Sequence, residues 1–566
     1  MMKYRVNKRT GDLISEIGIG SSYMFGAGMD EAVRALRLAV EGGINYFDLA
    51  AGDGTTFPIY GKALHDVRKN IFFQIHFGAD YAKGTYGWSL KLDTIKRSVE
   101  KQLRELRTDY IDYGFIHCQD EISDWETYLK NGVENNLWAT DTWNFGTGYP
   151  RLNYVAINKF VEISTKEQLL NLQGQTLWRN YRLTANIDLG GINWSPIVLF
   201  SGTFDGSGYT ISNFKITSSG SKAGLFGRNA GTIKNLGVED FTINTSAPYV
   251  GGLVGYNISG IITNCHAIGN ISARSQTVGG LVGYNSKGTI INSFASVNIT
   301  STITASSNTT YKSNAVGIRA GGLIGYNSKG IITNCYATGD VKVDVTTSFS
   351  SYATYSSNAS TYAGGLVGYN SYGEITNCYA TGDVSAISTA ISSHSQEYGV
   401  ASAAASNAGG LVGWNDWGGV INNCYATGNV VSTSNSTAIP TESAIAESSA
   451  GGLVGRNNGG EIFNSYAIGD VTSIYTVTPN GSDRIYAVAG GVSGSTGGTI
   501  TNCYSYNGQT FTVKKNGATT YSPTNTSGAT QSQTNLQSST FHIQTLGWDS
   551  EIWEFTEGTY PTLKNN

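Results

Sequence analysis

Two side chains in this sequence stand where proton chemistry is commonly done. Asp48 follows the apolar run "GINYF", and His117 ends the apolar run "YIDYGFI". A carboxylate and an imidazole are groups that can give or take a proton close to neutral pH. Each closes a strand-like run, and in parallel sheets function collects at the C-terminal strand ends.

Those positions need a scaffold, and the flanking sequence supplies one. "SEIGIGSS", "GINYFDLA", "IFFQIHFG" and "YIDYGFIHCQD" are short apolar runs, the pattern of buried strands. Between the first two, "MDEAVRALRLAVEGG" carries Asp30 and Glu31 at a helix start. Val33, Leu36 and Val40 fall on one face, and Gly42-Gly43 is a stop. "LDTIKRSVEKQLRELR" sets Leu92, Ile95, Val99, Leu103 and Leu106 on one helical stripe, and "DWETYLKNGV" begins another helix. Strands alternating with helices imply right-handed βαβ units and a parallel sheet.

The charge distribution breaks in two. Residues 1–135 hold 17 Lys+Arg and 19 Asp+Glu, so 36 of the 78 charges sit in the first quarter of the 566 residues. The remainder is poor in charge, which makes the whole 14% charged against about 25% in an ordinary globular protein. A net charge of -4 gives no electrostatic footprint for nucleic acid or an anionic membrane. No apolar run has signal-peptide length or the 18 or more residues of a spanning helix, so the chain read literally starts as a cytosolic protein.

"YRVNKRTGDLISEIGIGSS", "GINYFDLA", "YGKAL" and "IKRSVEKQLRELRTDYIDYGFIH" together resemble the aldo/keto reductases, over about residues 3 to 131. The resemblance implies an NAD(P)H-dependent (β/α)8-barrel enzyme. The family's active-site Asp and His match Asp48 and His117. In that chemistry a Tyr protonates the carbonyl while hydride arrives from the nicotinamide; Lys and Asp tune the Tyr, and His orients the substrate. Here Asp53 stands at the Tyr position, His76 at the Lys position, and Tyr60 is nearby but out of register. The resemblance stops after four βα units, and the later loops that hold the cofactor are missing. The expectation is therefore an incomplete (β/α) half-barrel over 1–132 that binds no cofactor, or NADP if the head is active. Its two open sheet edges favour self-association.

From residue 223 one phrase recurs, as in "GGLIGYNSKGIITNCYATGDV" at 321 and "GGLVGYNSYGEITNCYATGDV" at 364. The Gly before its aliphatic residue falls at 224, 252, 280, 322, 365, 410, 452 and 491, in steps of 28, 28, 42, 43, 45, 42 and 39. Such a period, with short β-branched runs and no helical pattern, selects a β-solenoid. The Leu of "GGLVG" and the Ile of "TIxN" should point inward, since a lone coil cannot bury them and stacked coils can. Asn257, Asn285, Asn327, Asn370, Asn415 and Asn457 share one repeat position, and Asn264, Asn292, Asn334, Asn377, Asn423, Asn464 and Asn502 another. Stacked amides predict two hydrogen-bonded ladders. Cys265, Cys335, Cys378, Cys424 and Cys503 form one column, read as small buried side chains in a row. No metal is expected, because each coil offers one ligand type. The Ser/Thr/Ala-rich insertions, such as "SAISTAISSHSQEYGVASAAASNA", should form either a lateral flap or extended strands on one face.

The phrase is similar to the GLUG motif, and that resemblance covers roughly 157–564. It implies a secreted or surface protein of bacteria, sometimes found beside zinc peptidases. With six His and no His-Glu-x-x-His, no such peptidase is expected here. Ser164 with Glu167 is read as a capping box in the lead-in. "TWNFGTGYPRL" at 142–152 nearly repeats the closing "IWEFTEGTYPTL" at 552–563, as if it were the terminator of an array that is absent. The expected organisation is a half-barrel (1–132), a junction (133–156), a lead-in (157–222), a right-handed-type parallel β-solenoid of about eight GLUG repeats (223–510) and a C-terminal cap (511–566). The expected function is a non-enzymatic adhesin or stalk, meeting an unknown protein or glycan at a cell surface. The other reading is an NAD(P)H-dependent oxidoreductase with an appended stalk.

Overall fold

All four apolar runs of the first region become strands. Ile19–Gly20, Tyr46–Asp48, Phe72–Phe77 and Tyr113–Ile116 pair in that order as one parallel sheet. In this computed structural model the described residues are 2–564, except 8–11, 22–27, 50–55, 82–86, 90–91, 117–142, 145–150, 153–159, 178, 308–313, 350–356, 393–401, 439–443, 479–483, 517 and 521–526. They fall into two compact units, Met1–Lys159 and Phe160–Asn566.

In the first unit, helix α1 (Met29–Glu41) buries Ala32 and Leu36, with Val33 and Val40 half-buried on the same core. Helix α2 (Phe57–Leu64) carries Pro58 in its first turn, where a fixed φ and a missing N–H are tolerated. Helix α3 (Leu92–Leu106) packs Ile95, Val99 and Leu103 against that core. Gly61 lets α2 press on α3, since a Cβ there would lie 2.1 Å from the Glu105 carbonyl oxygen. Among the described residues the sheet is a half-barrel of these four strands and does not close. Its outer strands are Ile19–Gly20 and Tyr113–Ile116. The helix expected from "DWETYLKNGV" lies outside the described residues.

The second unit is a parallel β-solenoid. Each rung contributes strands to four faces; in one rung these are Tyr249–Gly251, Val254–Ile258, Ile261–Thr263 and His266–Ala273. Every strand pairs in parallel with its counterpart one rung on, as Val250↔Val278, Val254↔Val282, Ile262↔Ile290 and Ala267↔Ala295. The faces build sheets of 8, 10, 11 and 17 described strands. Phrases at both ends of the array form rungs, through Phe226↔Val254 and Val454↔Ser493.

The repeat phrase does what its spacing predicts. Leu253, Leu281, Leu323, Leu366, Leu411 and Leu453 are fully buried, as are Ile262, Ile290, Ile332, Ile375, Ile421 and Ile462. Gly365 is needed for contact between rungs, because a Cβ there would lie 2.1 Å from the Gly410 carbonyl oxygen. The first Asn ladder runs from Asn229 to Asn457, each Nδ2 donating to the Oδ1 of the next rung at 2.8–3.0 Å. The second donates the opposite way, Asn264 to Asn235 and Asn377 to Asn334. Its members sit at φ of 46–53°, a left-handed turn that Asn tolerates better than bulkier residues. The described parts of the insertions are extended strands, not a flap. Val384–Ser392 and Ser402–Gly409 face each other through hydroxyls, Ser388 Oγ donating to Ala405 O at 2.7 Å and Ser406 Oγ to Ala386 O at 3.0 Å.

Two local readings are corrected or extended. The lead-in helix is capped by Thr165 with Gln168, not by Ser164 with Glu167. "STKEQ" contains both patterns one residue apart, and the Gln168 Oε1 accepts from the Ser164 and Thr165 N–H groups together. The two terminator-like segments make the same antiparallel pairing, Trp143↔Leu152 in the first and Trp553↔Leu563 in the second.

Candidate functional site

Asp48 closes the second strand of the half-barrel and meets His76 of the third. Asp48 Oδ1 lies 3.1 Å from His76 Nε2, with the imidazole nearly buried and the carboxylate 40% exposed. The pair joins a carboxylate and an imidazole at the C-terminal strand ends; the sequence names Asp48 there with His117, and gives His76 only as the residue at the Lys position. His117 and Asp53 lie outside the described residues. Tyr60 is fully buried on α2 and donates its hydroxyl to the Gly20 carbonyl at 3.4 Å. Burial, with Asp48 adding to it, pushes its phenol far above the ordinary range. Tyr46 is likewise pushed up to about 12, by burial first and then by Asp48 and Tyr113. Neither phenol is tuned toward giving up its proton.

The head's buried cation stands at the other end of the sheet. Arg68 donates to Asp112 Oδ2 at 2.7 Å and to the carbonyls of Ile71 and Tyr110, and Asp112 also accepts from the Phe73 N–H where that strand begins. The guanidinium is therefore committed to the N-terminal strand ends and cannot reach a phosphate at the C-terminal ends.

The solenoid carries two aromatic columns that went unread in the sequence, although "GYN" and "NCYA" recur in plain sight. On the fourth face Phe294, Tyr336, Tyr379, Tyr425 and Tyr466 stack at 4.8–5.2 Å with planes within 7°. The C-terminal segment folds along this column. Trp548 and Trp553 pack on it, Tyr425 donates to the Pro561 carbonyl at 2.7 Å, and Trp548 Nε1 donates to Asn464 O at 2.9 Å. His542 closes the seam: Nδ1 donates to the Ser538 carbonyl at 2.7 Å, which leaves Nε2 to accept from the Tyr466 hydroxyl at 3.2 Å. Burial depresses this imidazole to about 4.

On the second face Arg228, Tyr256, Tyr284, Tyr326, Tyr369, Trp414 and Arg456 occupy one half-buried column. Successive tyrosines lie 4.8–5.0 Å apart but tilt by 65–85°. Arg319, from the first face, sits 5.3–5.7 Å over Tyr326, Tyr362 and Tyr369.

A profile of the aldo/keto reductase family matches residues 16–145. The GLUG motif matches 246–272, 275–300, 317–342, 359–385, 404–431 and 446–472. The chain is a fusion: an aldo/keto reductase domain in its N-terminal region, followed by a solenoid of GLUG motifs. Among similar proteins, the "Uncharacterized oxidoreductase YqkF" of Bacillus subtilis is 36% identical over 113 residues, 19% of this chain and 37% of that one. L-galactose dehydrogenase of Arabidopsis thaliana is 29% identical over 131 residues, 21% of this chain and 38% of that one. The chain thus spans less than two-fifths of the curated relatives it matches. A solved aldo-keto reductase, AKR11C1 of Bacillus halodurans in its holo form, is 28% identical over 24% of this chain and 47% of that one, with a TM-score of 0.20. Among the described residues no helix is long and apolar enough to cross a membrane.

Proposed function

We propose that the working part of this protein is the solenoid, acting as a surface or secreted binding stalk, and that the reductase head does not catalyse hydride transfer. One observation carries the reading. The second face presents an unbroken, half-buried column of aromatic and cationic side chains along successive rungs, which a purely structural stack would not leave open. Head chemistry is disfavoured by the Asp48–His76 pairing and the buried Tyr60, since the phenol needed beside Asp48 points back into the sheet.

NADPH titrated into the full chain is expected to give no saturable fluorescence quenching. Quenching that Asp48→Asn weakens would reverse the assignment of the head. Antibody to the solenoid should label intact source cells; labelling only after lysis would remove the surface placement. The second reading, an NAD(P)H-dependent oxidoreductase carrying a stalk, is favoured by the 36% identity to the B. subtilis oxidoreductase. The same titration decides between them.

A further inference from the structure

The column beside the second-face tyrosines is made of turn residues. Ser259, Lys287, Lys329, Tyr372 and Trp417 follow one another there, all at φ of 52–55°, and Gly459 comes next at 74°. A left-handed backbone suits Gly, is tolerated by Asn and is uncommon for a large aromatic residue. Ser, Lys and Gly fill the same turn on neighbouring rungs, so the fold does not call for a ring. Even so, two large rings stand side by side, Tyr372 54% and Trp417 59% exposed. They stack on each other with planes 16° apart, and Lys329 Nζ lies 5.3 Å from the Tyr372 ring centre. Strained, exposed rings that the fold does not need are a mark of a binding surface.

The charges beside these rings have one sign left over. Arg228 and Arg319 lie over tyrosine rings, and among the described residues neither they nor Lys287 and Lys329 have a carboxylate within ion-pair distance. Arg456 lies over Trp414 at 4.6 Å and reaches Glu447 only at 3.5 Å. The nearby carboxylate, Asp416, is 3% exposed and already accepts from the Tyr369 hydroxyl, the Trp417 N–H and Asn458 Nδ2. The surface therefore offers aromatic faces, phenol hydroxyls and unneutralised cations, repeated along a rod.

Resting on the reading of the solenoid as a binding stalk, we propose that this stripe binds a linear acidic polysaccharide in which carboxylated sugars alternate with neutral ones. Pyranose rings stack their C–H faces on aromatic rings, and their hydroxyls pair with phenols and amides. Rungs spaced about 4.8 Å apart offer roughly one sugar position each. Guanidinium groups take carboxylates in bidentate fashion, and Arg228, Arg319 and Arg456 recur on every third rung of the column. With Lys287 and Lys329 on the turns between them, the cations are spread along the stripe but do not stand on every rung, which suits carboxylates interspersed with neutral sugars and not one on every unit. A single-stranded nucleic acid also stacks on aromatic rings, but it carries a phosphate at every unit, and a chain of net charge -4 with so few cations on the stripe is a poor match.

The test uses the full chain, with hyaluronate as the alternating probe and dextran, polygalacturonate and oligo(dT) beside it in affinity electrophoresis at fixed salt. Hyaluronate is expected to retard the protein at concentrations at least tenfold below those needed for dextran or oligo(dT), and below those for polygalacturonate. Trp417→Gly with Tyr372→Gly should abolish the retardation while leaving the thermal midpoint unchanged or higher, because glycine relieves the turn. Arg319→Gln should weaken hyaluronate at least fivefold and leave any dextran binding as it was. Preference for oligo(dT), equal binding of dextran, or full hyaluronate binding by the double variant would each overturn the proposal. So would no binding of any probe, which leaves the stalk reading standing, since surface labelling and NADPH titration test that separately.

Discussion

The two aromatic columns share a spacing and differ in almost everything else. On the fourth face the rings lie parallel within 7°, and Tyr425 and Tyr466 are sealed beneath the C-terminal segment. On the second face successive tyrosines tilt by 65–85° and stay half-exposed, mixed with arginines. Rung spacing alone brings aromatic side chains to stacking distance, so spacing does not reveal a role. Orientation and cover do: the covered column behaves as core, the open one as surface.

The largest test of that difference is Tyr466→Ala against Tyr326→Ala. Removing a fully buried ring should cost about 3–5 kcal/mol and leave His542 Nε2 without its donor. The half-exposed Tyr326 should cost only about 1 kcal/mol, on the scale of one exposed stacking contact. Urea melts of the full chain, followed by far-ultraviolet circular dichroism, give both values. Similar losses would erase the distinction between the columns.

Leu366→Ala, inside the rod, should cost about 2–5 kcal/mol by opening a cavity between two rung interfaces. Leu253→Ala, near the other end, should also be costly, since it is equally buried. Negligible losses at both would contradict inward-facing leucines.

The seam under the C-terminal segment should be acid-sensitive in a way the open column is not. His542 is depressed to about 4 when folded, below the value near 6.5 of an unfolded chain. Its contribution is therefore complete above pH 6.5 and lost as pH falls toward 4, on the order of 3 kcal/mol in all. The groups facing it are the Tyr466 hydroxyl, the Ser538 carbonyl, Trp548, Phe555 and the more distant Glu557. His542→Gln should flatten the thermal midpoint between pH 6.5 and 4.5; an unchanged slope would place the acid sensitivity elsewhere.

The smallest effect is chemical. Burial pushes the Cys265 and Cys503 thiols up to about 12, and Cys335 and Cys378 also rise. All five described thiols are free and buried. They should resist thiol reagents in native buffer at pH 8 and react on denaturation, whereas rapid native labelling would mean that the column is open.

The rungs were legible because translation imposes the same demand on each repeat. Leu, Ile, Asn and Cys recur at fixed places, and each recurrence maps to a buried column or a ladder. What escaped depended on choices between neighbours. Asn464 donates to Asn422 instead of Asn423, because "INNC" offers two amides where other repeats offer one. The cap shifted by one residue for the same reason. The insertions were undecided in sequence because Ser, Thr and Ala fit strand or loop, and only their hydroxyl contacts across the rod settle it. In the head, Asp48 could be placed by its strand, but its pairing with His76 needs two strands in register, which no local pattern encodes.

The two asparagine ladders have a consequence for growth. One chain of amides donates toward the C-terminal end of the rod and the other toward the N-terminal end. Side-chain amides aligned head to tail add their dipoles, so a single ladder would polarise the rod more with each rung. Two opposed ladders offset each other on the rungs where both are linked. Duplicating a repeat lengthens such a rod without building up an axial field, and its length is left to selection on reach.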